Sequence, residues 1–185
     1  FTGYKRPELI FLDSDRLARI LNTPGRAVQF LFAGKAHPAD DGGKHHLQHI
    51  YKRALDPQFG GRIAFVDDYD LHVAHFLVQG CDVWMNNPRK PLEASGTSGM
   101  KAAINGTPHM SIGDGWWAEA FTGDNGWLIE GAADPNDDGA SSYGYNLRVA
   151  CNGCALMNSV TKNALCGTGC EVSGVGSGVV LWRNA

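Results

Sequence analysis

The chain has 185 residues, 43% of them apolar and 19% charged, with a net charge of −3. That suffices for one sizeable packed domain, not comfortably for two, and it excludes disorder throughout. There is no basic excess to draw the chain to nucleic acid or anionic lipid, no apolar run as long as a membrane span (roughly 18 residues), and no stretch laid out as a signal peptide.

Asp13 or Ser14 caps a predicted helix through Leu17, Ile20 and Leu21, which Pro24-Gly25 ends. Ala27 to Phe32 is a short apolar run flowing into Ala33-Gly34-Lys35, the profile of a buried strand. Gly42-Gly43 opens a helix with Leu47, Ile50, Tyr51 and Ala54 on one face. Arg62 to Val66 reads as a strand with Asp67-Asp68 past its carboxyl end, and 70–79 as a helix carrying Leu71, Ala74, His75 and Val78. Cys81 to Met85 is strand again, broken by Asn86-Asn87-Pro88. Then 98–105 reads as a helix, 108–112 as a strand, and Gly126 to Ile129 as a short extended piece.

Strands of buried type alternating with helices at short intervals predict an α/β fold, a parallel sheet with helices on both faces. Ligands of such sheets bind beyond the carboxyl ends of the strands, which directs attention to loops 34–43, 67–70, 86–98 and 113–118. The last part of the chain is different in kind. Residues 139–185 hold only four charged side chains (Arg148, Lys162, Glu171, Arg183) against eight glycines and four of the five cysteines. No helical period runs through this stretch, so it is expected to form an irregular tail that packs poorly on the sheet.

The loop Glu93-Ala94-Ser95-Gly96-Thr97-Ser98-Gly99-Met100-Lys101 leads from a strand into a helix. Glycines let backbone approach a ligand closely, and the N–H groups of a helix start favour an anion such as phosphate. Ser95, Thr97 and Ser98 add hydroxyls. Lys101 falls about a turn inside the helix, where burial lowers an amine's pKa and makes a Schiff base feasible. A capped turn with a solvent-facing lysine is the other reading of the same spacing.

The order Glu-Ala-Ser-Gly-Thr-x-x-Met-Lys followed by Asn-Gly, Glu93 to Gly106, closely resembles the pyridoxal-phosphate motif of the α-glucan phosphorylases. Gly3-Tyr4-Lys5-Arg6 resembles the family's phosphate-contacting loop. Ala33-Gly34-Lys35-Ala36-His37-Pro38 and Asp114-Gly115-Trp116-Trp117-Ala118-Glu119 resemble its shorter, bacterial-type branch, which lacks allosteric control. The resemblance covers about residues 1–131. It implies a three-layer, Rossmann-like C-terminal lobe of a GT-B glycosyltransferase fold over 1–131, followed by an atypical Gly/Cys-rich stretch, 132–185, of frameshifted or chimeric origin.

The activity it implies is transfer of the terminal glucosyl unit of an α-1,4-glucan to inorganic phosphate, with retention, giving glucose 1-phosphate. Pyridoxal 5'-phosphate is the implied cofactor, and its phosphate does the acid–base work. Lys101 matches the lysine that carries the cofactor as a Schiff base, and Lys5 a lysine beside its phosphate. Thr97 and Ser98 match positions around that phosphate, and Tyr69 a tyrosine packed near the cofactor. Glu93, Ser95 and Gly96 match groups that bind glucose hydroxyls. The family's N-terminal lobe and the basic residues expected ahead of Phe1 are not in this sequence, so the chain by itself is expected to be incomplete and inactive. The resemblance also implies a cytoplasmic enzyme, homodimeric at full length, without nucleic-acid or membrane partners. The rival reading is a non-catalytic remnant binding at most phosphate or cofactor.

Cys151-x-x-Cys154 and Cys166-x-x-x-Cys170 are spaced for zinc, for disulfides, or for neither. His45 and His49 stand one helical turn apart but lack the acidic partner of a metal-binding helix, so they and His46 read as surface histidines. Trp116, Trp117 and Trp127 suit sugar stacking or core packing equally. Asp137-Asp138 reads as a solvated loop; Asp67-Asp68, at a strand end, either lines the cleft or leaves a plain helix cap at Asp68 or Asp70. No metal site is expected.

Overall fold

The computed structural model describes residues 1–25, 28–129 and 178–183. Five α-helices are described: α1 (Ser14–Leu21), α2 (Asp41–Ala54), α3 (Leu71–Gly80), α4 (Thr97–Ile104) and α5 (Trp117–Ala120). The strands are β1 (Val28–Ala33), β2 (Ile63–Val66), β3 (Val83–Asn86), β4 (His109–Ile112), β5 (Gly126–Ile129) and β6 (Gly178–Arg183). They form one sheet in the order β2-β1-β6-β3-β4-β5, parallel at every pairing.

The helices begin where their caps dictate. Asp13 accepts from Arg16 N at 3.0 Å, Asp40 from Gly43 N at 2.8 Å and Asp70 from Val73 N at 2.8 Å, each satisfying an amide the helix itself leaves open. The cap of α3 is therefore Asp70, while Asp68 lies exposed and pairs with Lys35 at 3.0 Å. Tyr51, expected on the buried face of α2, is exposed; Ile50 is the residue that α2 buries fully. Helix α5, too short to show a period, is an addition to the expected elements.

Side chains alternate across the strands, so the sheet is covered on both faces. Val83 and Met85 join the larger core with Phe11, Leu17, Leu21, Phe32, Ile50 and Phe59, under α1 and α2. Trp84 faces the opposite side and packs with Val78, Cys81 and Ala102, under α3 and α4. Burial there pushes the Cys81 thiol up to about 12, so it behaves as a small apolar core group.

The expectation of a wholly irregular tail is corrected at Gly178–Arg183. This strand lies between β1 and β3, with Phe30 opposite Val180 and Trp84 opposite Leu181. The facing edges of β1 and β3 each carry a row of amide and carbonyl groups that need partners. Val179-Val180-Leu181-Trp182 is a β-prone apolar run able to supply them from a central position. The surrounding glycines and cysteines masked that run in the sequence. Cys151, Cys154, Cys166, Cys170, Asp137 and Asp138 lie outside the described residues, as does the rest of the stretch called irregular. Among the described residues no helix is long and apolar enough to cross a membrane.

The Phe32 ring is fully buried and stacks on Phe11 with centroids 6.0 Å apart. Phe32→Ala is expected to cost about 3–5 kcal/mol. Urea denaturation followed by far-ultraviolet circular dichroism checks this, as a lower midpoint at unchanged slope.

Candidate functional site

The carboxyl ends of β3 and β4 hold a polar site built by three segments. The first is the β3–α4 loop. Gly96, at φ 77°, turns the chain into α4 as its N-cap, with no side chain capping the helix start. A Cβ at Gly96 would stand 3.1 Å from Trp116 Cδ1, so a side chain there is strained by conformation and crowded in space. One turn on, a Cβ at Gly99 would fall 2.4 Å from His109 Cε1. Helix α4 therefore lies directly on the first residue of β4, and Ser98 is buried beneath it, its Oγ 3.2 Å from Asn86 Nδ2.

The second segment is the N-terminal turn Gly3–Lys5. Lys5 Nζ meets Glu93 Oε2 at 2.9 Å, the two side chains being only 9% and 11% exposed. The Tyr4 ring lies 5.3 Å from the same ammonium. Arg6 fastens this turn to the β3–α4 loop: its guanidinium donates to the Asn87 carbonyl at 3.1 Å and the Pro88 carbonyl at 2.9 Å. Arg89 N donates to the Tyr4 carbonyl at 2.7 Å.

The third segment is the β4–α5 loop. Asp114, itself buried, accepts the Glu93 backbone N–H at 2.9 Å. Trp116 N donates to the Ser95 carbonyl at 2.9 Å. Around this cluster, buried polar atoms without a partner among the described residues include both amide atoms of Asn87, His109 Nδ1 and the Trp116 indole nitrogen. Each such atom costs about 1–3 kcal/mol unless something satisfies it, and such groups concentrate where a polar ligand belongs.

Of the residues singled out in the sequence, Lys5, Glu93, Gly96 and Ser98 come together in this site. Ser95 and Thr97 border it on the exposed side. Lys101 is corrected: it is exposed, because α4 buries the stripe Ser98, Gly99 and Ala102 and turns Lys101 outward. Tyr69 is half-buried after β2, with β1 and β6 between its strand and β3. His45 and His49 are exposed, while His46 Nδ1 reaches Glu8 Oε1 at 2.9 Å. Trp117 packs in the core, edge-on to His109 at 4.8 Å, and donates from Nε1 to the Trp127 carbonyl at 3.1 Å. Asn87 escaped the sequence reading, where Asn86-Asn87-Pro88 served only as a strand breaker; its signal was its place at a strand's carboxyl end.

A parallel sheet with this cradle beyond its strand ends is a Rossmann-like lobe of the kind that GT-B glycosyltransferases contain. Its likeness to Anabaena HepE, solved in complex with UDP and glucose, has a TM-score of 0.58 at 16% identity, covering 89% of this chain and 39% of that one. A sucrose-phosphate synthase from Thermosynechococcus elongatus gives a TM-score of 0.51 at 18% identity, covering 88% and 37%. The family model for carbohydrate phosphorylases matches residues 1–154, and the chain belongs to that family. The match carries on past residue 131, where the resemblance of motifs ended. A glycogen phosphorylase from Aquifex aeolicus is 63% identical over 128 residues, which is 69% of this chain and 18% of that protein. A maltodextrin phosphorylase from Thermococcus litoralis is 50% identical over 129 residues, 70% of this chain and 16% of the relative. The chain thus spans less than a fifth of the length of these relatives.

Burial depresses His109 from its ordinary 6.5 to about 4, a backbone hydrogen bond with Trp84 opposing the shift. The folded protein holds it neutral, so its contribution to stability is full above pH 6.5. As pH falls from 6.5 toward 4 the unfolded chain takes up the proton first, and up to about 3 kcal/mol is lost before the effect levels off. Urea midpoints measured from pH 7.5 to 4 check this. His109→Gln is expected to flatten that part of the profile.

Proposed function

We propose that this chain is part of the cofactor-binding lobe of an α-1,4-glucan phosphorylase. The reaction is transfer of the terminal glucosyl unit to inorganic phosphate, with retention, to give glucose 1-phosphate. The observation that carries the reading is the buried Lys5–Glu93 pair at the mouth of the α4 cradle. An ammonium for phosphate and a carboxylate for sugar hydroxyls are held in contact, inside a chain of the carbohydrate phosphorylase family.

The residues fit pyridoxal 5'-phosphate. A helix start without a capping side chain, the hydroxyls of Thr97 and Ser98, and Lys5 are what a phosphate monoester requires. The unpartnered Asn87 amide and Trp116 indole nitrogen offer further donors to a polar ligand. Lys101, four residues into the same helix from Thr97, would carry the cofactor covalently. When bound, the cofactor supplies through its phosphate a proton relay to the substrate phosphate.

The chain's own residues bind and orient. Lys5 keeps a positive charge where two phosphates approach each other, which lowers their repulsion. A dianionic phosphate competes with Glu93 for that ammonium and leaves the carboxylate to accept from glucose hydroxyls. Ser95 and the Gly96 backbone hold the same sugar. Glucan and phosphate complete their surroundings with a second lobe, which also excludes water. The full enzyme is read as cytoplasmic and homodimeric. The exposure of Lys101 and Ser95 favours a second reading for this chain acting alone: it binds cofactor or phosphate and does not turn over.

Incubation with pyridoxal phosphate, borohydride reduction and peptide mapping test the assignment. Lys101 is expected to carry the label, and labelling spread evenly over Lys35, Lys44 and Lys52 would overturn it. Glucose 1-phosphate formation from maltoheptaose and phosphate separates the two readings. This chain is expected to form essentially none, with or without cofactor. Turnover at an ordinary enzyme's rate, abolished by Lys101→Ala, would show that the lobe suffices.

A further inference from the structure

The sugar-binding groups assigned to the β3–α4 loop do not hold themselves in place. Glu93, Ser95 and Gly96 lie in a stretch without regular structure, Asn87 to Gly96, and backbone of that kind needs external partners to keep one geometry. The structure shows where those partners come from. Asp114 Oδ2 accepts the Glu93 N–H at 2.9 Å and Trp116 N donates to the Ser95 carbonyl at 2.9 Å. Between these two bonds sits Gly115, at φ 53°. A Cβ there would stand 2.7 Å from the Ser95 oxygen and 3.0 Å from the Glu93 oxygen. The two loops are thus in backbone-to-backbone contact.

The β4–α5 loop is itself anchored. Asp114 N donates to the Ile112 carbonyl at 2.9 Å, which ties the loop to the end of β4. The Trp116 ring is fixed against His109 at 5.3 Å and Trp117 at 5.1 Å. Its Cδ1 lies 3.1 Å from where a Gly96 Cβ would be. Rigid core therefore backs each of the three sugar-binding positions.

We propose that Asp114 is a positioning residue for sugar binding: by holding the Glu93 amide it fixes the backbone from which the Glu93 carboxylate reaches the glucosyl hydroxyls. Gly115 and Trp116 complete the same clamp on Ser95 and Gly96. The inference rests on the phosphorylase reading for the identity of the ligand. Asp114 acts through a hydrogen bond it accepts, not through its charge. An asparagine in its place keeps an accepting oxygen, whereas an alanine removes it. Lys101 and the helix start of α4 make no use of this bond, so cofactor attachment does not depend on Asp114.

The test compares wild type with Asp114→Asn, Asp114→Ala and Gly115→Ala after pyridoxal-phosphate labelling. Glucose 1-phosphate is titrated into each protein and followed by the backbone amide shifts of residues 93–98. Wild type and Asp114→Asn are expected to bind alike. Asp114→Ala and Gly115→Ala are expected to bind about tenfold or more weakly, the loss of one hydrogen bond to a charged group, with labelling at Lys101 unchanged. Equal affinity in Asp114→Ala, or loss of affinity in Asp114→Asn, overturns the proposal. Hydrogen exchange at the Glu93 amide gives a readout independent of any ligand. It is expected to be about tenfold or more faster in Asp114→Ala, or in Gly115→Ala should that first variant not fold, than in wild type or Asp114→Asn. Unchanged exchange overturns the clamp even where nothing binds. Wild type that neither labels at Lys101 nor binds glucose 1-phosphate overturns the phosphorylase reading instead, and exchange at Glu93 then decides the clamp.

Discussion

Helix α4 can take its place only because residue 99 has no side chain. The His109 ring stands where any Cβ at that position would have to go, with Cε1, Nε2 and Nδ1 at 2.4, 2.7 and 3.0 Å. The helix start is thereby brought down onto the sheet beside the ends of β3 and β4. Ser98 is buried, Gly96 is drawn against Trp116, and the loop that precedes them must close in a left-handed turn. The same contact sets the electrostatics, because an imidazole enclosed by a helix backbone and two indoles is held neutral. The place of the α4 start and its histidine floor thus follow from one glycine.

The buried Lys5–Glu93 pair contributes less to stability than its short distance suggests. Removing both charges from water costs much of what their attraction returns, so such a pair adds little net stability to a fold. What it does is keep two opposite charges desolvated, at 2.9 Å, at a point that three chain segments converge on. Arg6 contributes to that convergence without entering the site, since its guanidinium binds backbone carbonyls of the β3–α4 loop.

The order of the strands has a related consequence. Strands β1 and β3 are not neighbours; β6 lies between them and pairs with both. The region with the lowest density of charge in the sequence therefore supplies a central strand, and the two halves of the sheet are joined through it. Both faces of the sheet stay under helices, as the two core clusters on opposite sides show, the larger of them spanning both halves.

Much of this was legible in the residues. Caps and periodicity placed α1 to α4 and β1 to β5 to within a residue or two, because aspartate caps and buried apolar runs act locally. The Glu93–Lys101 loop was legible as a glycine-bearing turn into a helix start with hydroxyls beside it, since these residues are neighbours in the chain. Tertiary structure alone decided the rest. Lys5 and Glu93 are far apart in sequence, and only the fold makes them a pair. The exposure of Lys101 depends on which stripe of α4 meets the sheet, and His109 selects that stripe. Strand β6 was invisible because a strand's place is set by the edges waiting for it, not by its own composition. The roles of Asp114 and Asn87 arise where loops from different strands meet. Local propensity is written along the chain, while burial and contact are properties of pairs that only folding brings together.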